Sequence, residues 1–138
     1  MKKAFTVLAA LLLLAVVTQF YLAATGAFDS APNEQAFELH RLLGNAVIAF
    51  SALVAIAAAI ARVPGRVIGQ AGLVAALVVL QSLIREVAEA LGEGAAAGHF
   101  VFGVHALNGL AILGLTSLVV RQARQLAWPP AVAKHPVP

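Results

Sequence analysis

At 138 residues the chain has single-domain length, but 62% hydrophobic and 11% charged residues lie outside the composition of a water-soluble globule and place it in the membrane class. It has no cysteine, which excludes disulfides, thiolate metal sites, iron–sulfur clusters and thiol nucleophiles and leaves metal chemistry to histidine and carboxylate. The formal charge of +3 is carried by basic residues scattered among apolar runs, with no patch to serve a nucleic-acid partner.

A helix needs about 20 apolar residues to cross the hydrocarbon core, and four runs of that kind follow one another. The first spans about residues 4–24. Its start, "MKKAFTVLAALLLLAVV", also has the make-up of a secretory signal, with two lysines, a leucine-rich stretch and small residues at Ala23 to Ala27; it is read here as a retained span. The connector "TGAFDSAPNEQ" leads to the second span, about 38–61, which opens within "FELHRLLGN". A tight turn, "RVPGR", with Pro64 and Gly65, leads to the third span, about 67–87. "EVAEALGEGAAAG" reads as a flexible outer connector before the fourth span, about 99–121, and residues 126–138 form a proline-rich tail that carries His135.

Charge orients these spans. If all four cross, Lys2, Lys3, Arg62, Arg66, Arg121, Arg124 and Lys134 share one side, and Asp29, Glu34, Glu38, Glu86, Glu89 and Glu93 share the other. Cytoplasmic flanks are enriched in lysine and arginine. The expected fold is therefore all-α, an integral membrane four-helix bundle in the plasma membrane with both termini cytoplasmic.

Ionisable groups at membrane depth are costly and face the bundle interior or a functional site. Arg41 and Arg85 are the only basic residues on the acidic side. One reading pairs them with Glu38 or Glu86 or lets them snorkel toward headgroups; the other sets them at the outer mouth as two cations for an anionic ligand. His40, His99 and His105 all fall in the outer leaflet. A lone histidine on an apolar face is commonly a satisfied core residue, but here two antiparallel helices bring histidines to similar depth. At 1.5 Å per residue, His40 lies about 33 Å from Arg62, and His105 lies about 24 Å from Arg121 or about 28 Å from Arg124. His40 and His105 then differ in depth by about 5–9 Å, while His99 matches His40 more closely but adjoins the glycine-rich connector.

A histidine pair in a bundle core, without cysteine or a carboxylate cluster, suits a heme iron better than zinc or a di-iron centre. Gly44, one turn from His40, and Gly103 and Gly109 beside His105 leave room for a flat ring, and Phe50, Phe100 and Phe102 can pack on it. Arg41 and Arg85 can meet its propionates. Gln81 shares a face with Arg85, and Asn108 lies three residues from His105; these two are candidates for orienting an imidazole. Gln19, Asn45, Gln70, Ser51 and Thr116 read as ordinary interhelical hydrogen-bond partners.

A four-helix unit with "HR" opening its second helix and "HALNG" in the outer half of its fourth resembles one half of the heme A synthase family, and small four-span membrane proteins carrying the same HR and H-x-x-N-G elements. The resemblance covers spans two to four. It implies that His40 and His105 are the axial ligand pair of a heme. Heme A synthases carry a glutamate three residues before the second-helix ligand, a position held here by Phe37, and they contain two such halves, so the resemblance implies heme binding and not the synthase reaction.

The expectation is thus one heme b per chain, held by His40 and His105 toward the extracytoplasmic side, serving electron transfer or heme handling among membrane lipids with a redox partner or a second copy. A cofactor-free accessory subunit of a larger respiratory or transport complex is the alternative. A solute path along Gln81, Arg85 and His105 is a third reading, which four spans without a mid-membrane break support least. No phosphate loop, nucleophile elbow or paired carboxylate within a span is present.

Overall fold

The computed structural model describes residues 1–92 and 96–129. Glu93, Lys134 and His135 lie outside them. The described residues form α1 (Lys2–Ala27), a single turn α2 (Asn33–Ala36), α3 (Glu38–Ile60), α4 (Gly65–Ala90) and α5 (Ala96–Ala127). There is no strand among them. The four long helices have 26, 23, 26 and 32 residues, enough at 1.5 Å per residue to cross a hydrocarbon core of about 30 Å.

Packing decides what surrounds these helices. Only 17–28% of each helix's most apolar 18-residue window is buried inside the bundle, so most of the apolar surface faces outward. Leu14, Leu42, Ile56, Leu73 and Leu107 are among the exposed side chains. Such a surface is stable in hydrocarbon and not in water. The molecule is a four-helix membrane-type bundle.

Each long helix packs on two neighbours: α1 on α3 and α5, α4 on α3 and α5. This leaves α1 opposite α4 and α3 opposite α5 across the bundle. Neighbours run antiparallel, as the approach of Thr6 Oγ1 to the Ala123 carbonyl oxygen at 3.0 Å fixes for α1 and α5. The two ends of the described chain therefore share one end of the bundle with the α3–α4 turn, and they bring Lys2, Lys3, Arg62, Arg66, Arg121 and Arg124 there together.

Local chemistry explains the breaks. Val63 precedes a proline, which disfavours helical backbone, and Pro64 caps α4 with φ −52° and ψ 140°. Arg62 closes α3 in the left-handed region, at φ 50°, with Val63 N–H reaching back to the Ala58 carbonyl. A side chain there costs about 1–2 kcal/mol. Arg62→Gly is therefore expected to raise the stability of the bundle in detergent by roughly 0.5–1 kcal/mol, read as a higher midpoint of denaturant-induced unfolding. At the other end, Asp29 Oδ1 accepts from Ala31 N–H at 2.9 Å and Pro32 starts the α2 turn. That turn returns the chain over the end of α1, where a Cβ on Gly26 would stand 2.7 Å from the Ala36 carbonyl oxygen and 3.0 Å from the Phe37 ring. Gly26→Ala must push the backbone at the start of α3 outward. We expect a loss of about 1–3 kcal/mol, measurable in the same unfolding assay.

Several boundaries differ from the sequence reading: α1 is longer at both ends, and α4 runs on to Ala90, so the start of the stretch read as the outer connector is helical. α5 begins at Ala96, so Ala96–Gly98 belong to its first turn and not to the connector. Gly98 is buried there, where a Cβ would meet the Ala88 and Gly92 carbonyls at 3.2 Å. α5 also runs on to Ala127, into the stretch assigned to the tail, because alanine, arginine, glutamine and leucine extend a helix readily until Pro129.

Candidate functional site

The apolar core stops part-way along the bundle. Its buried members run from Phe5 and Ala123 at the basic end to Val16, Val47, Val78 and Ile112. Beyond them lies a polar layer made by Gln19 of α1, His40 of α3, Gln81 of α4, and His105 and Asn108 of α5. Every long helix contributes to it.

His40 stands in the first turn of α3 and His105 in the outer part of α5, on the two helices that face each other across the bundle. Their ring centroids are 6.4 Å apart with the planes tilted by 52°. Both rings are half-buried. Nδ1 of His40 lies 3.1 Å from the Gln19 carbonyl oxygen, and Nδ1 of His105 lies 3.3 Å from the Gln81 carbonyl oxygen. A carbonyl only accepts, so each contact puts a proton on Nδ1 and, in the neutral ring, leaves the Nε2 lone pair free. Neither Nε2 has a hydrogen-bond partner among the described residues. Aromatic rings brace both imidazoles: Phe102 stacks on His105 at 5.2 Å, and Phe37 meets His40 edge-on at 6.2 Å.

His105 is held further by a clamp between α4 and α5. Gln81 Nε2 donates to the His105 carbonyl at 2.9 Å, and Asn108 Nδ2 reaches Gln81 Oε1 at 2.5 Å and the Leu77 carbonyl at 2.9 Å. Asn108 is buried. The two residues singled out in the sequence for orienting an imidazole thus lie beside it, although the group that touches the ring is the main-chain carbonyl of Gln81. His40 has only the carbonyl of Gln19, a residue the sequence reading left among general hydrogen-bond partners. The usable signal was its position, a lone amide at matching depth in a long apolar run. The Oε1 atom of Gln19 is buried without a partner.

The remaining sequence candidates fall in different places. His99 is exposed, away from the pair. Gly44 and Gly109 face α1: a Cβ on Gly44 would lie 3.3 Å from Gln19 Nε2, and one on Gly109 would lie 3.4 Å from the Phe20 ring. The space these glycines leave is taken by Gln19 and Phe20. Gly103 faces open surroundings, Phe100 is exposed, and Phe50 packs on the apolar core. Arg85 pairs with Glu86 and, at 3.0 Å, with Glu89. Arg41 donates to the Glu34 carbonyl. Of the two outer arginines, Arg85 is offset by carboxylates, whereas Arg41 is held by a neutral group.

Among the described residues no three His, Asp or Glu side chains gather as a metal cage. The layer offers two imidazole donors and no more. That suits a metal that takes the rest of its ligands from elsewhere, and it does not suit a structural zinc site, which needs four protein ligands.

A model of a family of unknown function, DUF6220, matches residues 19–88, just over half of the chain. The chain belongs to this family. The DUF6220 match opens at Gln19 and runs through α4, so it contains His40, Gln81 and the carbonyl that orients each imidazole, while His105 and Asn108 follow it on α5. No curated protein and no solved structure matches the chain.

Proposed function

We propose that this DUF6220 protein binds one heme b between His40 and His105 and serves electron transfer or heme handling in the membrane. The observation that carries the reading is the close pair of imidazoles, each with Nδ1 against a carbonyl oxygen and no hydrogen-bond partner at Nε2 among the described residues. The two rings, on separate helices with centroids 6.4 Å apart, are the residues that would hold the heme iron. Oε1 of Gln19, beside the pair, is buried without a partner, as is Oε1 of Gln70 outside the layer. The likeness of the "HR" and "HALNG" elements to a heme A synthase half points the same way.

In this reading the chain's residues divide the work. Gln19 and Gln81 hold the two rings in the ligating tautomer through their carbonyls, and Asn108 steadies Gln81. Phe37 and Phe102 restrict ring rotation. A bound heme supplies a one-electron iron couple, and the side chains of Gln19 and Phe20 give way to its ring. Arg41 leaves a positive charge at the outer mouth. The site faces the extracytoplasmic side, with the lysine- and arginine-bearing end and both termini in the cytoplasm.

The direct test is an absorption spectrum of the protein purified after heme-replete expression. A Soret band with the sharp reduced bands of a six-coordinate, two-imidazole heme is the expected result, and their absence overturns the reading. A second reading rests on the close packing at Gly44 and Gly109: the histidines serve only as interhelical hydrogen-bond donors in an accessory subunit. A colourless protein that co-purifies with a stable membrane partner would select it.

A further inference from the structure

The end of the bundle away from the histidines is strongly basic among the described residues. Lys2, Lys3, Arg62, Arg66, Arg121 and Arg124 gather there, whereas the described carboxylates, Asp29, Glu34, Glu38, Glu86 and Glu89, lie toward the other end. Both ion pairs among the described residues belong to Arg85. Charge of this kind at a membrane surface attracts anionic groups.

An open groove at this end has the shape to receive one. Ser117, Val120, Arg121, Arg124 and Gln125 recur at spacings of three and four on one face of α5 and line a groove of about 360 Å³. Arg124 and Gln125 also line a smaller open hollow of about 230 Å³, together with Trp128. The Trp128 ring in turn lies 5.8 Å from the Lys3 ammonium of α1, which adds a third cation at the rim. Ser117 donates its hydroxyl to the Leu113 carbonyl, so the inner part of the groove offers no free donor besides the arginines and Gln125. The groove is apolar toward the middle of the bundle and cationic at the rim. Guanidinium groups pair with phosphate through two parallel hydrogen bonds, and tryptophan favours the level of the headgroups.

We infer that this face of α5 is a binding site for an anionic phospholipid, its headgroup phosphate between Arg121 and Arg124 and its acyl chains running past Val120 and Ser117. The apolar lower half selects a lipid over free phosphate, which would use the rim alone. This site is independent of the histidine layer.

Trp128 is the only tryptophan and reports on the groove directly. The full chain is placed in phosphatidylcholine vesicles containing a minor fraction of phosphatidylglycerol with brominated chains, and quenching of Trp128 is compared with that by brominated phosphatidylcholine. The expected result is roughly a fivefold or greater preference for the anionic lipid. R121Q/R124Q brings the preference close to one, R124Q alone reduces it part-way, and R62Q/R66Q leaves it. Helical circular dichroism confirms folding in each case. Equal quenching by both lipids in the wild type overturns the proposal, as does an equal loss in R62Q/R66Q, which would reduce the effect to the general field of the basic end. Millimolar inorganic phosphate is expected to leave the quenching unchanged; if it relieves it, the rim binds free phosphate and the lipid site is refuted.

Discussion

His105→Ala is expected to abolish the two-imidazole spectrum of the heme-loaded protein, and His40→Ala to do the same, while His99→Ala leaves it intact. Removing either ring leaves one donor in a layer that holds no carboxylate, cysteine or third imidazole to replace it among the described residues. The expected outcome is a purified protein with little bound heme, or heme held by one histidine with a shifted, broadened spectrum. Heme content per chain and low-temperature electron paramagnetic resonance measure both. The two variants need not be equal. His105 is backed by Phe102 and by the Gln81 clamp, whereas His40 depends on one carbonyl and an edge-on phenylalanine, so the ring that remains in His40→Ala is the better oriented of the two and retains more heme. An unchanged spectrum in His105→Ala, or its loss in His99→Ala, contradicts the assignment.

Asn108→Ala carries the second large effect. It strips Gln81 Oε1 of its donor inside the bundle and unties α4 from α5 at the layer. A buried acceptor left unpaired costs about 1–3 kcal/mol in water-soluble proteins, and hydrogen bonds between membrane helices average somewhat less, so a loss of about 1–2 kcal/mol in bundle stability is expected. Heme affinity should fall roughly tenfold or more, as it does when a group orienting a metal ligand is removed. A cycle of Gln81→Ala, Asn108→Ala and the double variant separates the two consequences. If the clamp works as a unit, the double variant loses less than the sum of the single ones, because its two side chains act through the same contact. Additive losses would mean that each amide acts alone.

The orphaned Oε1 of Gln19 explains why a site of this kind hides in a sequence. A glutamine in a leucine-rich helix has many uses, and nothing along the chain says that its main-chain carbonyl meets an imidazole 21 residues later. The sequence also left His99 and His105 open as partners for His40, because depth counted from the charged rim depends on where α5 leaves the membrane. The structure brings the His105 ring to 6.4 Å from that of His40, centroid to centroid, and leaves His99 exposed, a relation that depends on how α5 packs and rotates in the bundle. Arg85 is a similar case. Its position in the outer mouth was legible, but its pairing with Glu86 and Glu89, and hence its compensated charge, depends on side-chain geometry.

What the sequence determined by itself is the class of the molecule: four apolar runs long enough to cross a bilayer, with breakers at Asp29 to Pro32 and at Pro64, the acidic residues on one side and all the lysines and arginines but Arg41 and Arg85 on the other. These follow from local physics, since hydrophobic length, proline and charge act over a few residues and need no knowledge of neighbours. Only the tertiary structure decided which helices lie diagonally, and therefore which histidines face each other, which carbonyls fix their tautomers, and that the space beside Gly44 and Gly109 belongs to Gln19 and Phe20. Those are relations between distant residues. They depend on helix rotation and crossing, and one residue of helical rotation, about 100°, is enough to turn an inward imidazole to the lipid.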